Sequence, residues 1–108
     1  MGGYLIKMAQ FRLFVTNYNP DVLWVYESLQ CWVEERGGQV VRCQCASAEE
    51  VQEKAREADI YLAWKLPVTR EVIASLPDLK LLIASGSGYD HIDVSAATEH
   101  GVVVANAA

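Results

Sequence analysis

No basic stripe, no paired cysteines and no long apolar run occur in this chain, and each absence removes a class of function. Nucleic acid and anionic lipid are bound by clustered Lys and Arg, which displace counterions. Here nine basic residues face 14 acidic ones, for a net charge of −5. The expectation is therefore no nucleic-acid partner and no membrane. No segment approaches the roughly 20 consecutive apolar residues that a bilayer span needs, and the apolar run within Met1 to Gln10 is too short for a secretory signal. Gly2 follows Met1, but Ile6 stands where a myristoylation signal requires Ser or Thr. Met8 is a candidate start, so residues 1–10 read as an N-terminal extension. Cys31, Cys43 and Cys45 are odd in number and lack the CxxC spacing of a zinc site. They read as reduced, buried thiols of a cytoplasmic protein, with no metal site.

What the chain does have is 52% hydrophobic residues in 108 positions, enough for one core and short for an enzyme that needs separate cofactor and substrate domains. Two periodicities alternate along it. Phe11 to Thr16 suits a buried strand, and Asn19 can cap a helix with Pro20 at its first position. Val22, Val25, Tyr26, Leu29, Trp32 and Val33 then recur at three and four residues, with Gly37-Gly38 as a left-handed stop. Trp24 falls off this stripe and is free to cover a neighbouring surface. Gln39 to Cys45 reads as a second strand. Ser47 and Glu50 form a capping box, ahead of a helix that turns Val51, Ala55 and Ala58 inward. Ile60 to Trp64 is a third strand, and Thr69 caps a short helix carrying Val72, Ile73 and Leu76. Leu79 to Ala84 is a fourth strand. Asp93 caps a helix through Ala96 and Ala97, Gly101 stops it, and Val102 to Ala105 is a fifth strand. Connections too long for hairpins predict an α/β fold, a doubly wound parallel sheet of about five strands in three α/β/α layers.

Such a sheet binds its ligand at the carboxyl ends of the strands. That selects Asn17, Lys65 and the loop Gly86-Ser87-Gly88-Tyr89. The loop is not a dinucleotide fingerprint, because His91 occupies the place of the third glycine and no acidic residue follows at the ribose-binding distance. Two glycines do let backbone amides converge on a carboxylate or phosphate, with Ser87 and Gly88 as donors. A plain strand-to-helix turn would use the same residues. Lys65 suits steering of an anion, or simple solvation. Asp90 suits bonding within its own turn, Asp93 an N-cap, His91 a structural or interdomain role, and His100 the negative end of a helix dipole. A phospho-receiver domain is excluded by Thr16-Asn17 and Trp64-Lys65, where acidic residues would be required. A flavodoxin-type FMN site stays open through the small polar loop Thr16-Asn17-Tyr18-Asn19, as does a domain that only binds small anions or a partner protein.

The stretch LPDLKLLIASGSGYDHIDVSAATEHGVVVANA, Leu76 to Ala107, resembles the D-isomer-specific 2-hydroxyacid dehydrogenases. The resemblance lies in P-x-L-K, then G-x-G-x-D-H-I-D, then A-A-x-x-x-G-V-x-V-x-N. ADIYLAWKLPVTREVIASLP, just upstream, is also similar, whereas residues 1–58 match only in their alternation of elements. The resemblance implies a flavodoxin-like substrate-binding domain over residues 11–108, incomplete. The amides of Ser87 and Gly88 would hold the carboxylate of a small 2-hydroxy or 2-keto acid, with Gly86 shaping the turn. It also implies that NAD or NADP, and the catalytic Arg, Glu and His, belong to a nucleotide-binding domain absent here, as is a returning C-terminal segment. This chain alone is then expected to bind no cofactor, to show no turnover, and to leave apolar surface near the fifth strand open to homodimer formation.

Overall fold

A computed structural model describes residues 10–17, 21, 23–64, 66–85 and 91–107. Nine elements alternate: β1 (Arg12–Thr16), α1 (Leu23–Glu35), β2 (Gln39–Cys43), α2 (Ala48–Lys54), β3 (Ile60–Ala63), α3 (Arg70–Ala74), β4 (Leu81–Ser85), α4 (Val94–Glu99) and β5 (Val103–Ala107). All five strands pair in parallel in the order β2-β1-β3-β4-β5. β1 lies inside the sheet, which is why Leu13, Phe14, Val15 and Thr16 are all buried and why this strand reads as a continuous apolar run rather than an alternating one. The residues predicted as an N-terminal extension lie, except Gln10, outside the described residues.

Local chemistry sets the helix boundaries. Ser47 Oγ accepts from the Glu50 amide at 3.3 Å, Thr69 Oγ1 from Val72 at 3.3 Å, and Asp93 Oδ1 from Ala96 at 2.9 Å. The three predicted caps therefore each satisfy a free amide. The capping box closes one residue early, since Glu50 Oε2 accepts from Ala46 rather than Ser47, at 3.0 Å. Gly37 (φ 84°) and Gly101 (φ 71°) end α1 and α4 in the left-handed region. Both build the same double bond: Gly38 N–H to Val33 O at 3.0 Å with Gly37 N–H to Glu34 O at 3.2 Å, and Val102 N–H to Ala97 O at 2.8 Å with Gly101 N–H to Thr98 O at 3.1 Å.

Two apolar clusters lie on opposite faces of the sheet. The larger joins Phe14, Tyr61 and Leu82 to Val51, Val72, Ile73 and Ala96 of α2, α3 and α4. The smaller joins Leu13, Val15 and Leu62 to Tyr26 and Val33 of α1. Among the described residues, three helices thus lie on one face and one on the other.

Two sequence expectations need correction here. Val25 and Trp32 of the predicted inward stripe are 41% and 52% exposed, because one helix on a flat sheet buries a narrower arc than six apolar positions occupy. Cys31 is exposed rather than buried; it lies on the turn of α1 facing away from Tyr26 and Val33. Cys43 is half-buried and Cys45 buried.

Candidate functional site

At the carboxyl end of β1 the structure describes Thr16 and Asn17, and both are already engaged. The Thr16 and Tyr61 hydroxyls, both fully buried, bond each other at 2.9 Å across β1 and β3. Burial pushes the Tyr61 phenol up to about 12, with the Thr16 bond acting the other way. Asn17 takes a left-handed backbone (φ 51°) just beyond β1. Its backbone N–H donates to Cys43 O at 3.3 Å, its Oδ1 accepts from Cys45 N–H at 2.9 Å, and its Nδ2 donates to Cys45 O. The side-chain amide therefore continues the β1–β2 ladder where the backbone has turned away.

These bonds bear on the nucleotide readings. A flavin or dinucleotide phosphate at the β1–α1 turn would draw on the Thr16 hydroxyl or a free glycine-rich backbone. Thr16 and Asn17 are both engaged internally; Tyr18 and Asn19, the rest of that polar loop, lie outside the described residues. Thiol chemistry is disfavoured at the same corner. Burial pushes the Cys45 thiol up to about 11, with Cys43 adding to it, and burial also raises Cys43, so both stay protonated and weakly nucleophilic near neutrality. No cluster of three or more His, Cys, Asp or Glu able to hold a metal occurs among the described residues.

Gly86, Ser87, Gly88, Tyr89 and Lys65, the predicted anion-binding residues, lie outside the described residues, as does Asp90. The anchors on either side are described. Before the loop, β4 is held between β3 (Ala63 opposite Ala84) and β5 (Ala84 opposite Asn106). After it, Val68 N–H donates to His91 O at 2.7 Å and Asp93 N–H to Val68 O at 2.9 Å, making an isolated parallel bridge between Val68 and Ile92. Both bridge residues are buried. The backbone on either side of residues 86–90 is thus held by pairing, at β4 before them and at the Val68–Ile92 bridge after them.

Two buried polar atoms beside these anchors, His91 Nε2 and Asn106 Oδ1, lack a hydrogen-bond partner. Asn106 was not selected as a site residue from the sequence. The available signal was a lone amide after the apolar run Val102 to Ala105 and its place in the V-x-N element. His100 has its Nδ1 2.9 Å from Ala96 O at the end of α4, a local contact.

Two concavities of the described surface have their basic groups already paired. One of about 500 Å³ opens at the amino ends of the strands, lined by Arg12, Glu57, Asp59 and Asp78. Its basic group is already used: Arg12 forms an ion pair with Glu57, and its backbone N–H donates to Asp59 at 2.8 Å. A shallower one, about 630 Å³, lies beside the loop anchor between Val68, Thr69, His91 and Asp93; Arg70 on its rim pairs with Glu99 across α3 and α4.

The alternation of elements and the all-parallel order β2-β1-β3-β4-β5 define a doubly wound α/β domain. The sequence profile of the D-isomer specific 2-hydroxyacid dehydrogenase catalytic domain matches residues 18–108, and the chain belongs to that family. The chain is 40% identical over 74 residues to a D-3-phosphoglycerate dehydrogenase of Methanocaldococcus jannaschii, covering 68% of this chain and 14% of that protein. It is 30% identical over 95 residues to a formate dehydrogenase of Arabidopsis thaliana, covering 81% of this chain and 25% of the relative. Among solved structures, the NAD-complexed formate dehydrogenase of Staphylococcus aureus superposes with a TM-score of 0.72 at 25% identity, over 90% of this chain and 31% of that one. The 3-phosphoglycerate dehydrogenase of Entamoeba histolytica superposes with a TM-score of 0.81 at 24% identity, over 91% of this chain and 33% of that one, a likeness of fold. The chain therefore spans between a seventh and a third of the length of these proteins. The profile begins at residue 18, beyond β1, although β1 is an inner strand of the sheet.

Proposed function

We propose that this chain is the substrate-binding part of an NAD(P)-dependent 2-hydroxyacid dehydrogenase, and that backbone amides of Gly86 to Tyr89 hold the carboxylate of a small 2-hydroxy or 2-keto acid. The observation that carries this reading is the family match, which runs through the Gly86–Asp93 segment. The relatives named for phosphoglycerate and formate act on anions, and the fixed anchors at β4 and Val68 supply a rigid mount. In this reading Ser87 and Gly88 donate to the carboxylate, Gly86 allows the close approach, and Lys65 attracts the anion from solution.

The nicotinamide, when bound, supplies or accepts hydride. Its holding residues and the proton-transfer groups are assigned to a nucleotide-binding domain outside residues 11–108. The role of this chain is orientation: fixing the carboxylate presents the adjacent C2 carbon at one angle, which lowers the entropic part of the barrier. The chain alone then has no turnover.

Titration of the ¹⁵N-labelled chain with glyoxylate tests the carboxylate site. The expected result is saturable shifts confined to amides of residues 86–91; shifts elsewhere, or none at about 100-fold excess, would remove the assignment. NADH oxidation by the isolated chain with glyoxylate or hydroxypyruvate is expected to be absent, and measurable turnover would place catalytic groups within it. In a polypeptide carrying the nucleotide-binding domain, Ser87→Pro removes one amide donor and should raise KM; an unchanged KM counts against the loop.

A further inference from the structure

Val41, Cys43 and Cys45 turn toward the larger apolar cluster, while Arg42 and Gln44 between them are exposed. This alternation runs past the end of β2 at Cys43, because Asn17 pairs with both backbone groups of Cys45. In an extended chain residues two apart share a face, so the two thiols stand side by side. The Cys45 thiol donates a hydrogen bond to that of Cys43. Among the described residues no third His, Cys, Asp or Glu joins them in a group able to hold a metal, which leaves a bond between the two sulfurs as the chemistry of the pair.

Side chains hold the backbone at this point. Lys54 Nζ donates to Gln44 O at 2.8 Å, Ala46 N–H donates to Glu50 Oε2 at 3.0 Å, and Glu50 and Lys54 pair with each other at 3.6 Å. With Asn17 on Cys45, three side chains keep residues 44–46 in place. Two rises of about 3.4 Å set the Cα atoms of an extended Cys-x-Cys about 6.8 Å apart. That is the upper limit for a disulfide, whose commonest separation is about 5.5–6 Å. Joining the sulfurs therefore draws Cys45 back toward Cys43, against the hold of Asn17, Glu50 and Lys54.

We propose that Cys43 and Cys45 form a reversible redox pair, whose oxidation to a disulfide loosens the Asn17 clasp at the end of β1 and whose reduction restores it. The co-reactant is a small disulfide of the glutathione type. Cys43, half-buried where Cys45 is buried, attacks one of its sulfurs as the thiolate; the S–S bond breaks and the first small thiol leaves with a proton. Cys45 then gives up its proton and attacks the Cys43 sulfur of the mixed disulfide, and the second small thiol leaves. Two cysteines are oxidised, one small disulfide is reduced, and the two protons end on the two thiols released. Burial keeps both cysteines protonated near neutrality, which slows this exchange and leaves its end point to the clasp. The pair is independent of the carboxylate-binding reading.

The test uses Cys31→Ser, which removes the exposed thiol, equilibrated in mixtures of reduced and oxidised glutathione, then acid-quenched and alkylated. Trypsin cuts after Arg42 and Lys54, so both cysteines lie in the one peptide Cys43–Lys54. The expected result is that this peptide, from a folded monomer, takes up no alkyl group and is two hydrogens lighter in the oxidised mixtures, and takes up two alkyl groups in the reduced ones. The Cys45 amide, bonded to Asn17 Oδ1 at 2.9 Å, should exchange its hydrogen at least about 10-fold faster in the disulfide form. Asn17→Gly removes the clasp at a position whose positive φ glycine accepts, and should shift the equilibrium about 10-fold toward the disulfide. Lys54→Met, a half-exposed position, should shift it the same way by about 3-fold. Two alkylatable thiols in every mixture, glutathione adducts alone, or closure only in urea would overturn the pair. An unchanged midpoint in both variants, or an unchanged Cys45 exchange rate, would overturn its coupling to the clasp.

Discussion

Leu82 and Ile83 are neighbours in β4, yet they meet different surroundings. Leu82 is completely buried under α2, α3 and α4, whereas Ile83, pointing the opposite way, is half-buried at the border of the smaller cluster. A parallel sheet needs both faces covered, and among the described residues three helices lie on one face and one on the other. Stability should therefore be concentrated on one side of the sheet, and substitutions across β4 measure how strongly.

The largest difference is expected from truncation in β4. Leu82→Ala should cost about 2–5 kcal/mol, as for other fully buried leucines, and Ile83→Ala about 1 kcal/mol. Urea denaturation compares them directly, and equal losses would mean that the α1 face is packed as tightly as the other. Next comes alkali. Tyr61 stays protonated to about pH 12 when folded, against a reference of 10.0. Its contribution is fully present below about pH 10 and is lost as pH rises through the folded value, up to about 2–3 kcal/mol. Cys45, raised from 9.0 to about 11, acts in the same direction from about pH 9. Tyr61→Phe should remove the steepest part of this decline, at the cost of an unpaired Thr16 hydroxyl worth about 1–3 kcal/mol; an unchanged alkaline limb would assign it elsewhere. Asp93→Ala, which leaves the Ala96 amide without its cap, should cost about 1 kcal/mol in thermal denaturation. Smallest is Val103→Ser on the open side, within about 0.5 kcal/mol. A loss above about 1.5 kcal/mol there would show that Val103 is covered.

The legibility of the sequence followed the range of the interactions. Ser47, Thr69 and Asp93 bond amides three residues away, and the signal for each is contained in four consecutive letters. The alternation of strand and helix, and with it the parallel sheet, follows from periodicities of the same short reach. The strand ends were read less well, because they depend on partners far along the chain: β2 stops at Cys43 and Asn17 takes over the pairing at Cys45, a contact spanning 28 residues. The Thr16–Tyr61 bond, 45 residues apart, had no local signal. The apolar letters place Val25 and Trp32 inward, and the apolar neighbours of Cys31 suggest a buried thiol, whereas the width actually buried depends on how many helices share that face. At the candidate site the loop glycines were legible as a motif. The fixing of its exit by Val68, through backbone groups alone, was not.

Asn17 presents one donor and one acceptor to the two backbone groups of Cys45, as a paired strand residue would. Neither Asp nor Leu can imitate that, although both are of similar size. Deamidation of this side chain would set a carboxylate oxygen against the Cys45 carbonyl, turning an attraction into a repulsion at the end of β1. The join between the first two strands thus depends on a side chain that carries a donor and an acceptor together.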